Sequence, residues 1–170
     1  MYYGNRQYMV LKSRNRRRRM KVLFLHGLES QPGGRKSTFL KENGHVVSNP
    51  ALPKEPFSIA VKIAQDVINY EKPDVVVGSS RGGAVAMAVD SKDCELVLIA
   101  PAWKKYGVSK DLKPATILHS ESDSVVPFAD TQELFRSNHG LTVISCEDDH
   151  RMSSEETLRK ILECVNNFSD

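Results

Sequence analysis

The chain has 170 residues, 40% of them hydrophobic, with 24 Lys+Arg against 21 Asp+Glu. That length predicts one domain, and that apolar fraction predicts a packed core and excludes wholesale disorder. No apolar run reaches the roughly 18–20 residues that a helix needs to cross a bilayer, and the odd, scattered Cys94, Cys146 and Cys164 form neither a disulfide framework nor a structural zinc site, so the expectation is a reduced, cytoplasmic chain.

The net charge of +3 is unevenly placed. Residues 1–20 carry Arg6, Lys12, Arg14, Arg16, Arg17, Arg18 and Arg19 and no acid, so the other 150 residues hold 17 basic and 21 acidic side chains. Residues 1–19 form a basic, polar arm with three readings. It is a disordered extension ahead of a start at Met20, an electrostatic arm for nucleic acid or anionic lipid, or an Arg-rich transit peptide. No stacking platform or recognition helix accompanies it, which weighs against nucleic acid. The apolar run Val22–Leu25 is too short for a secretory signal.

From Lys21 the chain alternates strands and helices. Strands are predicted at Lys21–Leu25, Val46–Ser48, Asp74–Ser79, Glu95–Ala100, Ala115–Ser120 and Leu141–Cys146. They are rich in β-branched residues and mostly continuous, as in a sheet buried on both faces. Helices are predicted at Arg35–Asn43, Phe57–Tyr70, Gly82–Asp90, Phe128–Asn138 and Ser153–Phe168. In the second, Ile59, Ala60, Ile63, Ala64, Val67 and Ile68 recur at three and four residues, an apolar stripe. Gly44 and Gly140 are placed as C-caps, and Ser153-Ser154-Glu155-Glu156 as an N-cap with acids in the first turn. The pattern predicts an α/β fold: a mostly parallel sheet of about six strands with helices on both faces, over residues 20–170.

In such sheets reactive groups gather at the carboxyl ends of strands. Four strand ends here carry a Gly-rich loop (His26-Gly27-Leu28), a serine (Gly78-Ser79-Ser80-Arg81-Gly82), an aspartate (Asp123) and a histidine (His150), in chain order. Ser80 sits at the centre of G-x-S-x-G, between a β-branched run and a small-residue helix. A serine there turns sharply to present its oxygen, and glycines two residues either side let strand and helix approach. A serine hydroxyl needs a base, for which His150 is the candidate, on a polar loop after the last strand. The histidine needs an acid to fix its tautomer. Asp123 fits, with Glu121 as competitor; loop position and the family pattern given below favour Asp123. A metal reading of Asp148-Asp149-His150 lacks a second ligand cluster.

Two backbone N–H groups are expected to hold a developing oxyanion, those of Arg81 and Leu28, with Gly27 allowing close approach. His26 is read as a brace at the strand end, and His45, His119 and His139 receive no functional role. The Arg81 side chain is expected in a surface ion pair, with attraction of an acidic acyl chain as the alternative. Trp103 and Tyr106 either wall the substrate site or cover the sheet edge.

The ordered set FLHGLES, GSSRGG, HSESDSVVP and the late DDH resembles the α/β-hydrolase superfamily. It is similar to its small capless esterases, including YqiA-type esterases and retinoblastoma-binding-protein-9-like serine hydrolases. The resemblance covers residues 20–170. It implies a three-layer α/β-hydrolase fold, a Ser80–Asp123–His150 triad and an oxyanion hole at Leu28 and Arg81. Two departures stand out. Only the basic arm precedes the HG strand, where relatives commonly carry two more strands; Tyr8–Lys12 is a candidate extra edge. Only Pro101–Lys113 occupies the position where larger relatives insert a lid. The function implied is hydrolysis of small carboxylic esters or thioesters; that chemistry needs no metal or organic cofactor, and a monomer is the default expectation. The competing reading is a protein-interaction module whose basic arm contacts nucleic acid or anionic surfaces.

Overall fold

The computed structural model describes residues 18–169. In chain order it contains β1 (Lys21–Leu25), α1 (Arg35–Glu42), β2 (Val46–Ser48), α2 (Phe57–Glu71), β3 (Val75–Ser79), α3 (Arg81–Ala88), β4 (Glu95–Ile99), β5 (Ala115–His119), α4 (Phe128–Ser137), β6 (Leu141–Ser145) and α5 (Glu155–Asn166). Single 3-10 turns occur at Lys104–Tyr106 and Asn167–Ser169. The candidate strand Tyr8–Lys12 lies outside the described residues, as does the basic arm except Arg18 and Arg19. Arg18 pairs with Asp74 at 3.1 Å, and the same carboxylate accepts from the Lys21 N–H at 2.8 Å.

All six strands run parallel in the order β2-β1-β3-β4-β5-β6. Side chains of a strand alternate between faces, so a strand buried on both sides needs apolar residues throughout. Leu23, Leu25, Val76, Leu96, Leu98 and Ile117 pack with Ala60, Ala64, Ile68, Val85 and Leu134 of α2, α3 and α4. Their sequence neighbours Val22, Phe24, Val75, Val77, Val97, Ile99 and Leu118 pack with Leu40, Ile161 and Val165 of α1 and α5. The result is three layers, helices–sheet–helices. Burying an aliphatic side chain contributes about 1.5–3 kcal/mol, so these two cores dominate stability.

The predicted elements recur with ends shifted by at most two residues at most boundaries. In α2 the stripe centres on Ala60, Ala64 and Ile68, while Ile59 is exposed. Gly44 has φ +97° and its N–H bonds the Lys41 carbonyl, as a C-terminal glycine does. Gly140 does not cap α4, which ends at Ser137 with Asn138 as its C-cap; with φ +81° it forms the turn into β6. Ser154 is the N-cap of α5, its hydroxyl accepting from the Thr157 N–H at 3.2 Å. Among the described residues no helix is long and apolar enough to cross a membrane.

β1 lies between β2 and β3, so the chain leaves β1 toward one sheet edge and returns on its other side. Loops after β1 and β3 therefore diverge, which opens a crevice at their carboxyl ends.

Candidate active site

The position of Ser80, the candidate nucleophile, is fixed by backbone geometry. Ser80 joins β3 to α3 with φ +54° and ψ −114°, a conformation costing a non-glycine residue about 1–3 kcal/mol. Four backbone bonds hold it there. Its N–H donates to the Ile99 carbonyl at 2.8 Å, and its carbonyl accepts from Gly83, Ala84 and Ala102 at 2.9, 3.2 and 3.0 Å. A Cβ on Gly78 would collide with the Gly82 carbonyl, and one on Gly82 with the Leu25 carbonyl. The sharp turn thus requires both glycines. Gly27 differs from expectation: a Cβ there would meet nothing nearer than the Ser79 carbonyl at 3.5 Å, an ordinary contact.

The structure brings Ser80, His150 and Asp123 together. Ser80 Oγ lies 3.0 Å from His150 Nε2, and His150 Nδ1 lies 2.7 Å from Asp123 Oδ2. A carboxylate accepts only, so Nδ1 carries the proton and Nε2 is free to accept from the serine hydroxyl. Asp123 is buried, and its other oxygen accepts from the N–H groups of Val125 and Val126 at 2.8 and 2.9 Å. Burial works to raise its pKa, but the bonds from His150, Val126 and Val125 outweigh that, holding the carboxyl below its ordinary value. Glu121 points elsewhere and accepts from the Ser145 hydroxyl at 3.2 Å.

His119 is a member of this network that the sequence reading passed over. Fully buried at the end of β5, its Nε2 lies 3.1 Å from both Asp123 Oδ2 and the Val126 carbonyl. Both are acceptors, so Nε2 carries the hydrogen. Burial pushes its pKa down against the opposing pull of Asp123, so the ring is neutral and Nδ1 accepts from the Thr131 hydroxyl at 2.8 Å. Asp123 Oδ2 thus receives two imidazole N–H groups. The only sequence signal was the i, i+4 spacing of His119 and Asp123.

The remaining candidates divide. His26 braces the first loop: Nδ1 donates to the Gly27 carbonyl at 2.8 Å, and Nε2 accepts from the Leu52 N–H at 3.0 Å. Leu28 and Arg81 both line the cleft around Ser80, and among the described residues neither backbone N–H donates to a protein acceptor. The Arg81 side chain corrects the surface ion-pair expectation. It is 1% exposed, has no carboxylate partner among the described residues, and donates to the carbonyls of Pro53 and Lys54 at 2.7 and 2.8 Å. Its guanidinium lies 5.6 Å from the ring centres of Phe57 and Tyr106, which stack on each other at 4.8 Å. Trp103 corrects a second expectation. It is packed in the core, its indole N–H bonding the Asp130 carbonyl at 3.3 Å, and it does not line the cleft. Tyr106 does.

The cleft has a volume of about 710 Å³ and is walled by Leu28, Tyr106, Val125, Val126 and Pro127 beside Ser80 and His150. A depression of about 460 Å³ between α1 and α5 contains no serine–histidine pair. Within the cleft lies a hydroxyl aligned with a free imidazole nitrogen, whose other nitrogen is fixed by a buried carboxylate.

No family model and no curated protein sequence matches the chain. Solved structures do match in fold. The esterase domain of a Rhodothermus marinus protein is 18% identical, with 88% of this chain and 85% of that one covered and a TM-score of 0.69. Mouse alpha/beta hydrolase domain-containing protein 10 is 15% identical, with coverage of 86% and 88% and a TM-score of 0.72. Est1E from Butyrivibrio proteoclasticus is 16% identical, with coverage of 91% and 88% and a TM-score of 0.71.

Proposed function

We propose that this chain, which has the α/β-hydrolase fold, is a serine hydrolase of small carboxylic esters or thioesters. The observation that carries the reading is the Ser80–His150–Asp123 hydrogen-bonded relay opening into a cleft. The similarity in fold to hydrolases and esterases supports it.

In the proposed reaction Ser80 Oγ attacks the carbonyl carbon while His150 Nε2 takes its proton. The carbonyl π pair moves to oxygen, where the Leu28 and Arg81 N–H groups receive it. The pair returns, the bond to the leaving oxygen or sulfur breaks, and His150 returns the proton to that atom. Water then attacks the acyl-enzyme with His150 as base, releasing the acid and restoring Ser80. Asp123 keeps the histidine tautomer and stabilises the imidazolium.

A fluorophosphonate probe tests this directly. Native protein is expected to label at Ser80, and Ser80→Ala to remain unlabelled at the same concentration. Folded native protein that stays unlabelled would count against the hydrolase.

A further inference from the structure

The charged residues lining the cleft are not balanced. Its two acids are already paired with cations from outside the lining, Glu29 with Lys54 at 3.0 Å and Asp130 with Lys104 at 2.9 Å. Its bases Arg35, Lys36, Lys105 and Arg151 have no carboxylate within ion-pair distance among the described residues. The Arg81 guanidinium is excluded from this set, because it is turned to backbone carbonyls.

We infer that the cleft selects esters or thioesters that carry a carboxylate near the scissile bond, with Lys36 as the anchor of that charge. The inference rests on the serine-hydrolase reading and deepens it. Arg35, Lys105 and Arg151 are exposed, so each contributes little in saline water and acts chiefly by steering. Lys36 is different. It projects from α1, is only partly accessible, and donates to the carbonyl of Arg151, the residue after His150. Its ammonium therefore sits against the loop that carries the base. In that low-dielectric position a charge interacts more strongly than on the surface.

Asp148 and Asp149 attract Lys36 from beyond ion-pair distance, while their oxygens are hydrogen-bonded within their own loop and the start of α5. Asp148 accepts from the Ser154 N–H and the Thr157 hydroxyl, and Asp149 from the Arg151 N–H. Burial lowers the Lys36 pKa to about 8, against the opposing attraction of Asp148 and Asp149. A substrate carboxylate would supply the direct ion-pair contact that Lys36 lacks among the described residues.

Two matched ester pairs test the inference. On the acyl side, 4-nitrophenyl hydrogen glutarate is compared with its methyl-capped diester. On the leaving-group side, 4-acetoxybenzoate is compared with its methyl ester. Within each pair size is nearly constant and charge changes. After subtraction of background hydrolysis, the anion is expected to have a kcat/KM about tenfold above its neutral partner in at least one pair, falling with added salt. Lys36→Met is expected to reduce that ratio at least about threefold, and Lys36→Glu to reduce it further. A ratio from one preparation cancels the fraction of folded enzyme, so a variant that folds poorly still reports. Parity or preference for the neutral ester in both pairs, in protein that hydrolyses the neutral esters, would overturn the selectivity and leave the hydrolase reading intact. A ratio unchanged in Lys36→Met would overturn the anchor. Hydrolysis of none of the four would overturn both readings.

Discussion

The carboxylate of Asp123 accepts four hydrogen bonds, two from backbone N–H groups and two from imidazoles. A hydrogen bond to a charged group is worth about 1.5–3 kcal/mol, so the contact from neutral His119 fixes Oδ2 where His150 needs it. His119 does not line the cleft, so in the proposed reaction it acts through Asp123 as a positioning residue. His119→Phe is expected to lower kcat about tenfold while KM changes by less than about a factor of two. If melting temperature falls but kcat does not, His119 only packs. Ser80, Asp123 and His150 were readable because their chemistry lies at strand ends bounded by glycine or polar residues. His119 was not: a histidine closing an apolar strand looks alike whether it braces a loop or a carboxylate. Arg81 was misplaced for a related reason. Sequence spacing does not reveal that carbonyls 53 and 54, contributed by the loop before α2, converge on its guanidinium.

Strands and helices announced themselves through β-branched runs and three-to-four periodicity, and their limits were nearly right. Sheet order was not legible, because neighbours such as β1 and β3 are fixed by packing between segments some fifty residues apart. The loop from β6 to α5 shows how such segments are tied. Asp148 accepts from the Ser154 N–H at 2.9 Å and the Thr157 hydroxyl at 2.7 Å, while its own carbonyl accepts from the Ser120 hydroxyl. Burial opposes ionisation, but bonds from Ser154, Thr157 and Asp149 prevail and lower its pKa from 3.8 to about 2. A depressed carboxylate stabilises the fold above its unfolded pKa, and that contribution is lost as pH falls through the folded value. Asp148→Asn is expected to cost about 1–2 kcal/mol at neutral pH. Its stability is then expected to decline less steeply than the wild type's between pH 3.8 and about 2. Denaturant titrations at several pH values read both effects, and equal slopes would remove Asp148 from the account.

Between β4 and β5 the chain has only a short connector with one 3-10 turn, so among the described residues no inserted element covers the cleft. Val125, on the cleft wall, is 63% exposed. Transfer from water contributes about 0.8 kcal/mol per methylene only where the methylene is actually buried, so a long acyl chain gains little beyond the wall. Across a series of straight-chain 4-nitrophenyl esters, kcat/KM is expected to peak at about four carbons or fewer and to fall by ten carbons. A rise through ten carbons would contradict an open cleft.

The guanidinium of Arg81 is a cation kept dry, one residue from Ser80, with ring faces and carbonyl dipoles around it in place of an anion. Such a charge is screened little by dissolved ions, and its bonds to backbone carbonyls fix its orientation. Its potential at the serine is installed once, when the chain folds. In the proposed reaction, negative charge arising there meets a field already in place.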